Sequence, residues 1–321
     1  MKRRSTTRGP ALTELGLGAA QFGNLYRETT DDEASGAVET AWSRGIRYFD
    51  TAPHYGLGLS ERRLGAALAA HDRDEYVVST KVGRLLVPSP ETAGRLDDGG
   101  FVVPATLRRE WDFSRDGILR SFEGSLARLG LDRVDIVYLH DPDEHWEAAS
   151  TTGIDALVEL RDQGVVGAIG AGMNQAAMLA EFVRRCDVDV MMLAGRHTLL
   201  EHDALDDLLP LAVDRGVGIV AAGVYNSGLL SVPRPAADAK FDYEQAPAEV
   251  VARANAIADV CERFGVTLPD VAVAYPLRHP AVVSVVLGTR TAAQVASNVG
   301  RYETPIPDGL WDALRDGGLL P

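Results

Sequence analysis

Short apolar runs alternate with segments of helical period from one end of this 321-residue chain to the other, and no other feature constrains its fold as much. Apolar, β-rich runs at residues 14–17, 47–50, 76–81, 134–140, 166–170, 188–193, 218–222 and 284–287 predict strands. Helical periodicity covers residues 31–44, 60–70, 114–130, 153–163, 174–185 and 202–215, and a longer stretch spans 247–279. Thr30 ahead of Asp31, Asp32 and Glu33, and Ser114 ahead of its run, read as helix N-caps. Gly45, Gly130, Gly164 and Gly216 stand just past helical segments and shortly before β-rich runs. Roughly eight such units with no linker or composition break fit an α/β chain folded as a single (β/α)8 TIM barrel better than an open doubly wound sheet. The expected layout is an N-terminal extension at residues 1–13 that covers the barrel, then the barrel itself over residues 14–321.

Composition excludes several functions. The chain is 46% hydrophobic and carries a net charge of −14, which argues against a nucleic-acid or anionic-membrane partner. Lys2, Arg3 and Arg4 form a basic cluster, but no apolar run follows them, so a frayed terminus is expected rather than a signal peptide. Its two cysteines, Cys186 and Cys261, lie far apart within helix-like patterns and read as inert thiols rather than a disulfide or zinc site. No run is long enough to span a bilayer, and a soluble cytoplasmic protein is expected.

Four polar residues stand at or just past predicted strand ends: Asp50, Tyr55, Lys81 and His140. In a parallel α/β barrel such ends gather at one mouth, so the four can meet. Each alone has a bland reading: a turn-capping carboxylate, a packing tyrosine, a solvated lysine, a structural histidine. Together they make a proton-transfer set, because an ammonium favours phenolate and an imidazole can donate to a substrate oxygen. That suits proton exchange with a carbonyl or alcohol oxygen while a hydride moves at carbon. Hydride chemistry needs a cofactor, and no Rossmann fingerprint is present. The run VVLGTRTAAQVASNV, with Gly288, Thr289 and Arg290 in the turn before a helix, suits an anionic group at a helix N-terminus. YNSGLL places Tyr225, Asn226, Ser227, Gly228 and Leu230 after the seventh strand, where barrels commonly hold phosphate. Two connections, 82–113 and 231–247, are too long for ordinary turns and follow strand C-termini, so substrate-binding lids are expected there.

These segments together resemble the aldo-keto reductase superfamily. FDTAPHYGLGLSERRLGAAL is similar to its first signature, VVSTKVG to the strand with the active-site lysine, VDIVYLHDPD to the strand with the histidine, and LGTRTAAQVASNV to the C-terminal adenosine-phosphate motif. The resemblance runs from about Leu15 to Asn298 and implies a barrel that binds NAD or NADP without a Rossmann fold. It implies that Tyr55 is the proton donor or acceptor, that Lys81 and Asp50 tune it, and that His140 orients substrate. Cofactor contacts are implied for Gly18, Ala19, Ala20, Asn174, Tyr225, Asn226, Ser227, Gly228, Leu230, Gly288, Thr289, Arg290, Gln294 and Asn298. HDPDEH, AGRHTLL and FDYEQAP resemble the aldose 1-dehydrogenase branch, which includes D-threo-aldose, L-fucose and pyridoxal 4-dehydrogenases. That implies oxidation of a cyclic hemiacetal to a lactone, with His54, Trp111 and Phe113 walling a small-molecule sugar or aldehyde site.

The chain departs from the family where the nicotinamide amide is usually held. Gly172-Met173-Asn174, Ala194-Gly195-Arg196 and Gly223-Val224-Tyr225 stand in place of the customary residues. A basic residue often found near Gln294 is absent, which tilts the expectation toward NAD, or dual use, over strict NADP. A general aldehyde or ketone reductase remains an alternative, as does a nucleotide-sensing regulatory subunit. A metal hydrolase built on His54, His140, His145 and Asp141 is a third, with spacing that matches no standard zinc motif.

Overall fold

A computed structural model describes residues 1–242 and 244–321. Among them, parallel strands close into an eight-stranded barrel. The strands are β1 (Leu15–Gly18), β2 (Tyr48–Asp50), β3 (Val77–Val82), β4 (Ile136–His140), β5 (Ala168–Met173), β6 (Val190–Ala194), β7 (Gly218–Ala222) and β8 (Val282–Gly288). Each pairs with its neighbour in sequence, and β8 closes on β1 with Val285 opposite Leu15 and Gly288 opposite Gly18. This is the architecture that the strand–helix alternation predicts, with β7 at its predicted bounds and the other strands displaced by one to three residues at one end or both.

Helices α1 (Asp31–Ser43), α2 (Leu59–Leu68), α3 (Arg115–Leu129), α4 (Ile154–Asp162), α5 (Ala176–Arg185) and α6 (Leu208–Arg215) cover the barrel's outside. Thr30 caps α1 in a reciprocal box: its hydroxyl accepts from Glu33 N–H at 3.0 Å and Glu33 Oε2 accepts from Thr30 N–H at 2.9 Å. Ser114 caps α3 with a single bond, its hydroxyl accepting from Gly117 N–H at 3.1 Å. The long predicted segment 247–279 divides into α7 (Ala248–Arg263) and α8 (Leu268–Ala274), because the chain turns at Gly265 and Thr267 starts a new capping box with Asp270. Two further helices follow β8, α9 (Ala292–Glu303) and α10 (Asp308–Asp316).

The interior is packed, not hollow. Leu12, Tyr48, Val77, Ile136, Tyr138, Val190 and Val220 form one buried cluster inside the strands. Leu12 reaches it from a short hairpin, Arg3–Arg4 against Leu12–Thr13. Fully burying such a leucine stabilises by roughly 1.5–3 kcal/mol. The basic terminus is therefore not frayed. Arg4 pairs with Glu14 at 2.7 Å and donates to the carbonyls of Val282 and Leu277, so tertiary hydrogen bonds override the local expectation.

Both long connections carry structure of their own. Residues 82–113 contain an antiparallel ribbon, Arg84–Pro88 against Leu107–Trp111, and residues 231–247 contain a small hairpin, Lys240–Phe241 against Glu244–Gln245. Tyr243 of FDYEQAP lies outside the described residues. Cys261 is buried in α7, whereas Cys186 is half-buried just past α5. No helix among the described residues is long and apolar enough to cross a membrane.

Candidate active site

The C-terminal ends of the strands open into a cavity of about 890 Å³, and Asp50, Tyr55, Lys81 and His140 all line it. Three come from β2, β3 and β4; the fourth comes from the turn after β2. Lys81 Nζ donates to Asp50 Oδ2 at 2.7 Å and to the Thr51 carbonyl at 3.0 Å. Asp50 Oδ1 accepts from Ser79 Oγ at 2.7 Å. Behind it the hydroxyls of Ser79 and Tyr48 lie 3.0 Å apart, and those of Tyr48 and Tyr138 lie 3.3 Å apart. Both tyrosines are fully buried in the barrel, so a chain of hydroxyls runs from the core to the carboxylate.

Tyr55 is set by a tight backbone approach. Its turn contains Gly56 (φ +61°), Leu57 (φ +51°) and Gly58 (φ +82°), all in the left-handed region. Gly23 packs against this turn so closely that a β-carbon there would lie 2.5 Å from the Tyr55 carbonyl carbon. The Lys81 ammonium stands 4.8 Å from the phenol ring centroid. The ring of His140 stands 5.8 Å from it, edge-on. His54 completes the aromatic wall, with ring centroids 5.9 Å from Tyr55, 5.5 Å from His140 and 5.3 Å from Phe101.

The electrostatics sharpen the expected roles. Burial pushes the Tyr55 phenol above its ordinary pKa, Lys81 pulls it down, and the net shift is upward. An ammonium alone predicts a lowered value; the structure shows desolvation outweighing it. Burial also opposes the Lys81 charge, but Asp50 and Tyr55 more than compensate and hold the ammonium well above its usual range. Burial and the nearby Arg84 drive both imidazoles the other way, His140 well below its usual value and His54 down to about 2. Both are therefore neutral at pH 7, able to donate one hydrogen bond and accept another.

The cavity extends from this cluster to the start of α9. Gly18, Ala20, Asn174, Tyr225, Asn226, Ser227, Gly228, Gly288, Gln294 and Asn298 line it, as does His54. Ala19, Leu230, Thr289 and Arg290 do not; they are buried behind the wall. The Arg290 guanidinium donates to the carbonyls of Leu25 at 2.7 Å and Arg27 at 2.9 Å, and to Thr29 Oγ1. It clamps the loop after β1 rather than facing the cavity. Trp111 and Phe113 also stand away from the lining. Phe113 is buried against Gly83, and Trp111 stacks on it at 5.9 Å from the outer side of the ribbon. His145 packs on that pair, 5.1 Å from Trp111, and so is not gathered with His140. Among the described residues no group of three or more His, Cys, Asp or Glu is placed to hold a metal ion.

Several lining residues had no assigned role in the sequence. Phe101, Tyr26, Gln21, Lys240 and Asp242 come from the long connections between strands, whose path no pattern encodes, and Asp141, considered in the sequence only as a metal ligand, lines the cavity directly after β4. Arg301 was legible, because it lies three residues beyond Asn298 on the same helical face. It donates to Tyr225 Oη at 2.9 Å, to Asn298 Oδ1 at 3.3 Å and to the Ser231 carbonyl at 2.9 Å.

A dinucleotide fits this geometry. The cavity reaches one face of α9 near its capped N-terminus, the Arg301 guanidinium lines it from the last turn of that helix, and Asn226 Oδ1 and Gln21 Oε1 are buried in its wall without a described hydrogen-bond partner. Gly288 also provides close approach, since a β-carbon there would meet the Gln21 amide at 2.6 Å.

The chain is similar along nearly its whole length to known proteins. A sequence model of the Aldo/keto reductase family matches residues 14–316. A D-threo-aldose 1-dehydrogenase from a Pseudomonas species is 48% identical, over 98% of this chain and 96% of that protein. A pyridoxal 4-dehydrogenase from Microbacterium luteolum is 40% identical, over 99% of this chain and 98% of that protein. Among solved structures, an aldo-keto reductase from Bacillus halodurans superposes with a TM-score of 0.76 at 25% identity, covering 100% of this chain and 97% of that one.

Proposed function

The chain belongs to the aldo/keto reductase family and is an oxidoreductase of that type, and from that premise we propose that it oxidises a cyclic hemiacetal of an aldose to the lactone with NAD or NADP. Residues 14–321 would be the catalytic barrel and residues 1–13 its cover. The observation that carries the reading is the buried Lys81–Asp50 pair set against Tyr55 and His140 at the cavity's inner end. The 48% relative supports an aldose as substrate.

In the oxidative direction the Tyr55 oxygen takes the proton from the anomeric hydroxyl. Lys81 stabilises the phenolate form, and Asp50 keeps the ammonium charged and aimed. Neutral His140 donates or accepts a hydrogen bond at the substrate oxygen and fixes its direction. His54 and Phe101 exclude water from the same face. When bound, the nicotinamide cofactor supplies the hydride acceptor. Gln294, Asn298, Arg301, Tyr225 and Asn226 would hold its adenosine and phosphate end, and Asn174 its amide end. Because the Arg290 guanidinium is committed to loop carbonyls, it is not free for a 2′-phosphate, which supports NAD or dual use over strict NADP.

The test is a panel of aldoses and pyridoxal assayed with NAD and NADP in parallel, beside simple aldehydes with the reduced cofactors. Oxidation of at least one aldose, lost in Tyr55→Phe, is the expected result. A silent sugar panel beside brisk aldehyde reduction identifies a general carbonyl reductase instead. Pyridoxal belongs in the panel because it also closes to a hemiacetal and a 40% relative is a pyridoxal 4-dehydrogenase. Absence of all turnover in the purified protein favours a nucleotide-sensing role.

A further inference from the structure

Asp141 follows His140 directly and lines the cavity, yet none of the proton-transfer steps uses it. Its backbone is left-handed (φ +40°), an uncommon state for a residue other than glycine, and its N–H donates to the Gly172 carbonyl at 2.9 Å. That turn aims the carboxylate along the wall beside the reacting centre. Oδ2 lies 3.6 Å from His140 Nε2 and accepts from the Arg84 guanidinium. Arg84 is in turn fixed, with its guanidinium carbon 4.3 Å above the Trp111 ring. Among the described residues nothing hydrogen-bonds Oδ1, and the side chain keeps 37% of its surface exposed. An anchored carboxylate with one oxygen open to the cavity is a strong acceptor for hydroxyl groups. It has little to offer an unsubstituted alkyl chain.

We propose that Asp141, held by Arg84, recognises a hydroxyl group on the substrate next to its reacting carbon and sets a preference for polyhydroxylated over plain carbonyl compounds. The ribbon's role follows from this. Trp111, which does not line the cavity, acts as a positioning residue by holding Arg84 against Asp141. The inference rests on a carbonyl or hemiacetal substrate reacting at Tyr55, as proposed above, but not on that substrate being an aldose.

The experiment compares wild type, Asp141→Asn and Trp111→Leu on two matched pairs. Glyceraldehyde and propanal are reduced with NADH or NADPH; gluconolactone and δ-valerolactone are bound to the protein and followed by calorimetry. In wild type the hydroxylated member of each pair is preferred. In Asp141→Asn the glyceraldehyde-over-propanal ratio of kcat/KM falls at least about tenfold, mostly through KM, and the lactone preference falls in parallel. Trp111→Leu shifts both ratios the same way by a smaller factor. Equal losses for both members of a pair overturn the inference and leave Asp141 a structural clamp for the ribbon. A wild type with no preference for hydroxylated ligands, or no carbonyl turnover at all, overturns it as well. A wild type that prefers glyceraldehyde but oxidises no aldose sinks the lactol reading and leaves this one standing.

Discussion

Lys81 Nζ lies 2.7 Å from Asp50 Oδ2, and the two side chains are only 2% and 5% exposed. An ion pair this deep contributes little net stability, because desolvation offsets much of its attraction. Its consequence is chemical. It keeps a cation within reach of Tyr55, where burial alone would leave the phenol locked in its protonated form.

Lys81→Met removes the group that lowers the phenol's pKa. The Tyr55 pKa then rises further, so at a fixed pH less phenolate forms, and oxidation falls by about a hundredfold or more. The rise of the oxidation rate with pH moves to still more alkaline values, while reduction, which needs the phenol, is less affected. Asp50 is left as an unpaired buried charge, and urea unfolding should show a loss of about 3–5 kcal/mol. A pH–rate profile unchanged in shape would refute the coupling.

Ser79→Ala removes the donor to Asp50 Oδ1 and breaks the hydroxyl chain to Tyr48 and Tyr138. About 1–3 kcal/mol of stability is lost, the cost of an unsatisfied buried acceptor. The carboxylate also loses a contact that fixes its angle toward Lys81, so kcat falls with little change in KM. Steady-state kinetics beside a thermal melt separates the two effects.

Gly23→Ala is a test of position rather than chemistry. The new methyl would meet the backbone of Tyr55 at 2.5 Å, so the turn must shift. If Tyr55 is the proposed acid–base group, a displacement well under 1 Å there lowers kcat by about tenfold or more. Circular dichroism should remain that of the folded barrel.

Arg301→Met tests which cation serves the cofactor end. The half-saturating cofactor concentration, followed by quenching of protein fluorescence, should rise about tenfold. Arg290→Met should instead lower the melting temperature, since it releases the loop after β1.

His197 lies outside the active site, 3% exposed, with its pKa lowered to about 4 by burial and by the neighbouring His279 and His202. Unfolding returns it to about 6.5. A depressed histidine contributes stability that is fully present above the unfolded value and is lost as pH falls toward the folded one. The protein should therefore weaken between pH 6.5 and about 4, by up to about 3 kcal/mol from this residue alone. His197→Gln, compared by melting temperature across that range, should flatten the slope.

How much of this was legible before folding differs from one feature to the next. Strand and helix alternation specified the barrel because each unit must bury one face against the next, and that need is written in local apolar periodicity. The strand-end positions of Asp50, Lys81 and His140 followed, since parallel strands share one mouth. The terminal basic cluster was misleading, because two of the three partners of Arg4, the carbonyls of Leu277 and Val282, lie more than 270 residues away. Arg290 and Trp111 were legible as residues but not as orientations. Only the loop after β1 drew the guanidinium away from the cavity, and only ribbon pairing turned the indole outward.

The amino-acid order by itself determined the barrel and which polar residues gather at its mouth, because both depend on local period and on residue type at strand ends. The tertiary structure decided the rest. Whether Tyr55 titrates above or below its ordinary value depends on how much protein surrounds it, and which carboxylate or cation faces the substrate depends on where long loops come to rest. Desolvation and loop packing are sums over residues distant in the chain, and no short stretch of sequence contains them.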